Sequence, residues 1–376
     1  MNQYFDVAIA GGGPAGSMAA RTLAGLGRNV VLLDASQFSV PRIGETMAPT
    51  VTNLLKKQGV WELFTGDGHL PSWGSRSAWG TEYPDTASSI FDPQGNGWHL
   101  DRNRFDQMLF EAARSSGAAC FTGHKVVRVA CHDACEMQVE DRDKRVHTIR
   151  SRFFIDATGR GSSLARTLGG KKKKNFPLLA HWVIYNGNDH TKSAMLVESA
   201  PDGWWYTAPV PGNQLVAVYF TDAEGARKLS RYGWDAALAE APLTRSATEG
   251  LRRAGEPTIR SAGSHHVGKE DWGTPWLACG DALMAADPLS GSGIQHAMET
   301  GIEAALAADA WLHGDISPAR HYQQKSQEAY QEYLGLRTAY YWMEKRWPES
   351  SFWKKQAAVA APVKKVASGQ STPLDG

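Results

Sequence analysis

The stretch FDVAIAGGGPAGSMAARTLAGLGRNVVLLD, Phe5 to Asp34, decides the fold. Phe5 to Ala10 form an unbroken apolar, partly β-branched run of strand length, and a glycine-rich turn follows at once. From Ser17 to Leu26 small and apolar residues recur at helical spacing, and Gly27 stands where a helix stop belongs. Asn29 to Asp34 then read as a second buried strand, completing a β-α-β unit of the parallel-sheet type. The turn has the pattern Gly11-x-Gly13-x-x-Gly16, and Asp34 closes the next strand. Glycines at that spacing allow a sharp turn, close approach of backbone N–H groups to a pyrophosphate at the helix N-terminus, and tight helix–strand packing; the acid accepts hydrogen bonds from a ribose. The β-α-β context predicts a dinucleotide site over Gly11, Gly13, Pro14, Ala15, Gly16 and Asp34, without specifying the dinucleotide.

Outward from this unit, Asp101 to Ser115 predict a capped amphipathic helix, and KVVRVA near Val127 and RFFIDATG near Ile155 predict strands. The turn-rich, tryptophan-rich stretch from Leu70 to Trp98 and the alternating segments between Phe176 and Phe220 read as a different, antiparallel sheet inserted into the first domain. WLACGDA, Trp276 to Ala282, returns to the opening style, and Gln295 to Leu312 predict a long helix. The expected division is a discontinuous dinucleotide domain (1–70, 100–172 and 260–318), a substrate domain (71–99 and 173–259), a helical C-terminal segment (319–360) and a disordered tail (361–376) with little to bury.

At 376 residues the chain is long enough for two or three domains, which excludes a peptide hormone or a disulfide scaffold. Lys+Arg 40 against Asp+Glu 39 leaves a formal charge of +1, so no whole-molecule field points to nucleic acid, a membrane surface or an acidic polymer. Cys120, Cys131, Cys135 and Cys279 contain no C-x-x-C pair; the expectation is reduced thiols, no disulfide and a cytoplasmic location. No leader pattern or membrane-length apolar run is read. His69, His265-His266 and Cys131-x-x-x-Cys135 lack companion ligands, so no metal is expected. Lys171 to Lys174 read as a solvated loop that could also steer a pyridine nucleotide or an acidic partner surface. The 14 Trp suit a flat ligand, although most are expected in the core.

The opening GGGPAG, the segment DATGRGSSLAR and the run GDALMAADPLSGSGIQHAMETG (Gly280 to Gly301) together resemble FAD-dependent monooxygenases of the aromatic-hydroxylase fold, over most of residues 4 to 310. The resemblance implies an α/β architecture with a Rossmann-like FAD-binding domain, an inserted antiparallel β substrate domain and a helical C-terminal extension. It implies that Gly280 and Asp281 serve the ribityl or phosphate part of FAD, and that the loop Pro288 to Ile294, with Gly291 and Gly293, lays backbone amides against the flavin ring. PRIGETMAP (Pro41 to Pro49) and LDRNRFD (Leu100 to Asp106) are similar to the halogenase and geranylgeranyl-reductase branch, which makes Arg42, Glu45 and Arg102 cofactor-side residues.

GWWYTAP, Gly203 to Pro209, occupies the place of the halogenase W-x-W-x-I-P signature, with Trp204 retained, Tyr206 for the second Trp and Ala208 for Ile. Ser72 stands where halogenases carry a catalytic lysine, and no lysine occurs between Lys57 and Lys125, which argues against halogenation. Together with the run Arg337 to Trp353, these segments most resemble flavoproteins that mature tryptophylquinone and cysteine tryptophylquinone enzymes. That resemblance implies oxygenation of an electron-rich ring by O2 through a C4a-hydroperoxide of reduced FAD, the ring belonging to a tryptophan of a precursor protein. Trp204, Trp205 and Tyr206 would line the substrate side, and Glu45 and Asp287 are the carboxylates to test as catalytic groups. No second GxGxxG is present, so electrons would come from transiently bound NAD(P)H or a separate flavin reductase. A small-molecule aromatic hydroxylase, a reductase of isoprenoid double bonds and a partner-binding maturation factor with little turnover remain open alternatives.

Overall fold

The computed structural model describes residues 3–88, 93–187, 189 and 194–357. The expected tail 361–376 lies outside the described residues. Strand β1 (Gln3–Ala10), helix α1 (Pro14–Gly25) and strand β2 (Val30–Asp34) form the parallel unit read from the opening stretch. β1 also pairs in parallel with Val146–Asp156, which in turn carries Trp276–Ala278, so distant parts of the chain close one seven-stranded sheet. Val7, Ala8, Ile9 and Val30 to Leu33 are buried on both faces, which is why these strands are continuously apolar rather than alternating. Helix Arg102–Ser115 is capped by Asp101, whose carboxylate accepts from the N–H groups of Asn103 and Arg104. Gly301, in helix Gly293–Leu312, lets that helix press against α1: a Cβ there would lie 2.2 Å from the carbonyl oxygen of Ala15.

The second sheet has eight strands, running Arg252–Arg253, Leu179–Asn186, Gln214–Thr221, Gly203–Val210, Met195–Ala200, Gly74–Ala78 and Asp85–Ser88, with Thr258–Ser261 also on Leu179–Asn186. It is antiparallel except where Gly74–Ala78 joins Met195–Ala200 in parallel. Leu70–Ser72 and Gly97–His99 pair instead within a small sheet that includes Thr46–Met47. Helix Trp234–Ala239 covers one face of the large sheet through Trp234 and Leu238. The other face packs against Tyr341 of helix Ser317–Met343 and Phe352 and Trp353 of helix Ser351–Ala357.

Two expectations are corrected here. Cys131 and Cys135 form a disulfide: the hairpin between Lys125–Cys131 and Cys135–Glu140 sets them directly opposite one another, a local geometry that reasoning from chain size ignored. The reducing compartment inferred from free thiols loses its basis; Cys120 and Cys279 are free and buried. Lys171–Asn175 is a strand paired with Ser264–Gly268, not a loop. Alternation turns Lys172 inward, where its ammonium donates to the carbonyls of Arg160 and Gly161. No helix among the described residues is long and apolar enough to cross a membrane.

Candidate functional site

The two large sheets contribute to the walls of one cavity of about 820 Å³, which the glycine turn, the segment Arg42 to Pro49, the loop Asp287 to Ser290 and the face carrying Trp204 and Tyr206 all line. Gly11 has φ +106°, and a Cβ there would meet the Ala157 carbonyl at 2.2 Å, so the tight turn admits only glycine. A Cβ on Gly16 would lie 1.8 Å from the Gly11 oxygen: this glycine packs the helix onto the turn and does not line the cavity. Gly13 has nothing within 4 Å of an added Cβ. As the N-cap of α1 it offers no side-chain hydrogen bond, which leaves first-turn amides of the helix for an anionic ligand beside Pro14 and Ala15.

Asp34 is held in place by its neighbours, one carboxylate oxygen accepting from the Gly12 N–H at 2.6 Å and the other from the N–H and hydroxyl of Ser36. Arg42 donates to the same Ser36 hydroxyl and to Asp106, while Arg102 bonds Asp106 and the carbonyls of Ile43 and Gly44. Asp106, absent from the sequence-derived site, is fully buried and fastens both arginines to the cavity rim. Its i,i+4 spacing from Arg102 was the available signal.

On the far side Asp281 pairs with Arg160 at 3.1 Å, and both line the cavity. Arg160 also holds the Gly263 and Ala286 carbonyls, a role invisible in DATGRG. Gly280 does not reach the cavity; a Cβ on it would press 2.7 Å from that of Ala15. Pro288, Gly291, Gly293 and Ile294 line the cavity, and an added Cβ on either glycine would meet nothing within 4 Å.

Along the aromatic wall, strand alternation separates residues expected to act together. Trp204 and Tyr206 face the cavity, with Phe220 beside them. Trp205 points to the opposite face, stacked on Tyr219 and edge-on to Trp234, which corrects its assignment to the substrate side. Glu45 is buried against this wall; one carboxylate oxygen accepts from the Gly44 N–H and the other has no partner. Burial pushes the Glu45 carboxyl above its ordinary range, with the neighbouring Tyr206 hydroxyl and the Arg102 charge acting in the opposite direction. The Tyr206 phenol is pushed well above its own ordinary value by burial and by the nearby Glu45 charge. Tyr206 shares a hydrogen bond with Thr46 at 2.5 Å, and Thr46 one with His99 Nδ1 at 3.2 Å. Sequence spacing could not join Thr46, His99 and Tyr206, which belong to three separate strands.

Asp287 also lines the cavity, but its carboxylate accepts from Arg337 at 3.0 Å, Tyr341 at 2.8 Å and the Leu289 N–H at 3.0 Å. Both of its oxygens are thus held by the protein's own donors, which gives this carboxylate a structural role in fixing the loop. No lysine lines the cavity, and no group of three or more His, Cys, Asp or Glu could hold a metal, among the described residues.

An uncapped helix start, a buried acid at the end of the second strand, and a second glycine loop open to the same cavity fit a long dinucleotide carrying a flat ring. This defines a flavoprotein, and the chain belongs to the FAD binding domain family, which matches residues 4–329. It is a flavin-dependent oxidoreductase, related to flavin-dependent halogenases. LodB of Marinomonas mediterranea, assigned as an FAD-dependent oxidoreductase, is 28% identical over 368 residues, covering 96% of this chain and 98% of LodB. The 1H-pyrrole-2-carbonyl-[peptidyl-carrier protein] chlorinase of Pseudomonas fluorescens is 25% identical, over 88% of this chain and 80% of the chlorinase. Among solved structures the flavin-dependent halogenase CmlS superposes with a TM-score of 0.84 at 27% identity, covering 96% of this chain and 68% of its own. The peptidyl tryptophan dihydroxylase QhpG, essential for tryptophylquinone cofactor biogenesis, shares the fold with a TM-score of 0.72 at 21% identity, covering 94% of this chain and 78% of QhpG.

Proposed function

We propose that the protein is an FAD-dependent monooxygenase that oxygenates an electron-rich aromatic ring, the ring being a tryptophan side chain of a precursor polypeptide on the way to a tryptophylquinone-type cofactor. The observation that carries this reading is one cavity in which a dinucleotide cradle, an aromatic wall of Trp204, Tyr206 and Phe220, and the buried acid Glu45 meet without a lysine among the described lining residues. The activity of QhpG on peptidyl tryptophan supports the substrate class, and the match along nearly all of LodB supports the flavin-dependent oxidoreductase activity.

One oxygen atom of O2 enters the ring in place of hydrogen and the other leaves as water, the two electrons coming from NAD(P)H directly or through a flavin reductase. Bound FAD supplies the activation of O2. The chain orients the substrate against Trp204 and Tyr206, excludes water, and moves the proton released from the ring. Glu45 is the group for that proton, relayed through the Tyr206 hydroxyl to Thr46 and His99. Gly11, Gly13, Pro14, Ala15, Asp34, Arg42, Arg102, Asp281, Pro288, Gly291, Gly293 and Ile294 would hold the cofactor.

The test is to reduce the FAD-loaded protein anaerobically, mix it rapidly with O2 beside a tryptophan-containing peptide of a candidate precursor, and follow flavin absorbance and peptide mass. A transient absorbance distinct from reduced and oxidised flavin, with the peptide gaining one oxygen, is expected. Transfer to free indoles or phenols but never to peptides would reassign the substrate to small molecules. A halogenated product in the presence of halide would overturn the oxygenase reading.

A further inference from the structure

The C-terminal helix Ser317–Met343 supplies none of the residues lining the cavity, yet three of its side chains bond residues that do, and one of them joins two parts of the wall. Arg337 and Tyr341 donate to the same oxygen of Asp287, the residue that opens the Pro288 to Ile294 loop. Tyr333 accepts from the Asp287 backbone N–H at 2.6 Å. The Tyr341 hydroxyl, while donating to Asp287, accepts the indole N–H of Trp204 at 2.9 Å. A single oxygen atom therefore ties the aromatic wall to the loop that the family resemblance lays against the flavin.

The surroundings keep this tie rigid. Arg337 is 3% exposed, its guanidinium lying between the rings of Phe176 and Tyr341 at 3.7 and 3.9 Å and bonding Gln356. Burial and the Asp287 charge hold the Tyr341 phenol well above its ordinary value, so it remains protonated and can donate and accept together. A buried charge paired on two sides is costly to disturb, and packed networks of this kind shift between discrete arrangements rather than deform smoothly.

We propose that Tyr341, with Arg337, is a positioning residue that couples the aromatic wall at Trp204 to the flavin loop at Asp287 to Gly291. The consequence is that the cavity wall and the flavin environment respond as one unit: displacement of the Trp204 indole is felt at the loop. The proposal needs FAD in the cavity, which the family establishes, and does not depend on which aromatic compound is oxygenated.

The experiment is a double-mutant cycle between Trp204→Phe and Tyr341→Phe, read by the dissociation constant of FAD and by the visible circular dichroism of the bound flavin, with no substrate present. Tyr341→Phe keeps the ring and removes the shared oxygen, and is expected to weaken FAD by roughly tenfold and change the flavin dichroism. Trp204→Phe should shift both readouts in the same direction, and the double variant should be little different from Tyr341→Phe alone. Tyr340→Phe, one residue away on the exposed side of the helix, is the control and should match the native protein. Arg337→Lys keeps a charge on Asp287 but cannot reproduce the guanidinium's bonds; it should reproduce the dichroism change if Tyr341→Phe fails to fold. Additive effects of Trp204→Phe and Tyr341→Phe, or variants whose FAD affinity and dichroism equal those of the native protein, would overturn the proposal. Because no substrate enters the measurement, that outcome is distinct from failure of the oxygenase reading, which the peptide assay alone decides.

Discussion

At the scale of the single residue, Glu45 is the carboxyl on which the proposed chemistry rests. Its carboxyl is buried, one oxygen is unbonded, and its protonated form is favoured above the ordinary carboxylate range. A group whose folded pKa is raised binds its proton more tightly in the folded chain, so its favourable contribution to stability is present at low pH and is lost as pH rises through the folded value. Glu45→Gln should therefore melt at a higher temperature than the native protein at pH 8, the difference closing as pH falls toward the unfolded value of about 4.5. The same substitution removes the proton acceptor and should lower turnover by about 10²-fold while FAD affinity stays within about threefold. Thermal melts across pH and single-turnover kinetics check the pair of outcomes; unchanged turnover would remove Glu45 from the relay. Tyr206→Phe tests the next member and should lower turnover without the stability gain, because the phenol remains neutral throughout the working range.

Among elements, the approach of helix Gly293–Leu312 to α1 is the contact on which the cofactor cradle depends. Gly301→Ala would place a methyl 2.2 Å from the Ala15 carbonyl, against backbone that has no rotamer with which to yield. Overpacking of this kind costs about 1–3 kcal/mol, and the strain falls on the first turn of α1. The expected result is a lower melting temperature together with FAD affinity reduced by tenfold or more, measured by fluorescence titration of the apoprotein; a loss of stability without a loss of affinity would disconnect the packing from the cradle. The Cys131–Cys135 hairpin is a contrasting case. Its closed loop is short, so the chain-entropy contribution is only about 2 kcal/mol, and Cys131→Ser with Cys135→Ser should lower the melting temperature by a few degrees and leave FAD titration unchanged.

These elements also show where sequence reading succeeds. Turn glycines, buried strands and the N-cap at Asp101 are local signals, and β1, α1, β2 and helix Arg102–Ser115 stand where local pattern places them. Strand period explains why Trp205 fails as a cavity residue: the motif GWWYTAP groups neighbouring residues, but adjacent side chains in a strand face opposite ways. The sequence offers Asp287 only as a carboxylate to test, because its partners Arg337 and Tyr341 lie 50 and 54 positions downstream. The Tyr206–Thr46–His99 chain depends on strand pairing between segments far apart in sequence, which no local pattern encodes.

At the scale of the whole molecule, the cavity draws its walls from both large sheets and from the loop that the C-terminal helix secures. A ligand bound only by the folded chain stabilises it by mass action, about 2.7 kcal/mol at a hundredfold excess over its dissociation constant. Where that stabilisation appears depends on which parts of the wall the ligand orders. A cofactor held only by the β-α-β unit would slow amide exchange around Gly11 to Ser17 and Asp34 and leave the second sheet unchanged. If the aromatic wall and the flavin loop respond together through the shared Tyr341 hydroxyl, adding FAD to the apoprotein should also slow exchange in strand Gly203–Val210 and in the loop Pro288 to Ile294. Hydrogen exchange followed by mass spectrometry distinguishes the cases peptide by peptide. Protection confined to the first sheet would mean that the aromatic wall is built without reference to the flavin, and substrate rather than the C-terminal helix would then have to supply the alignment.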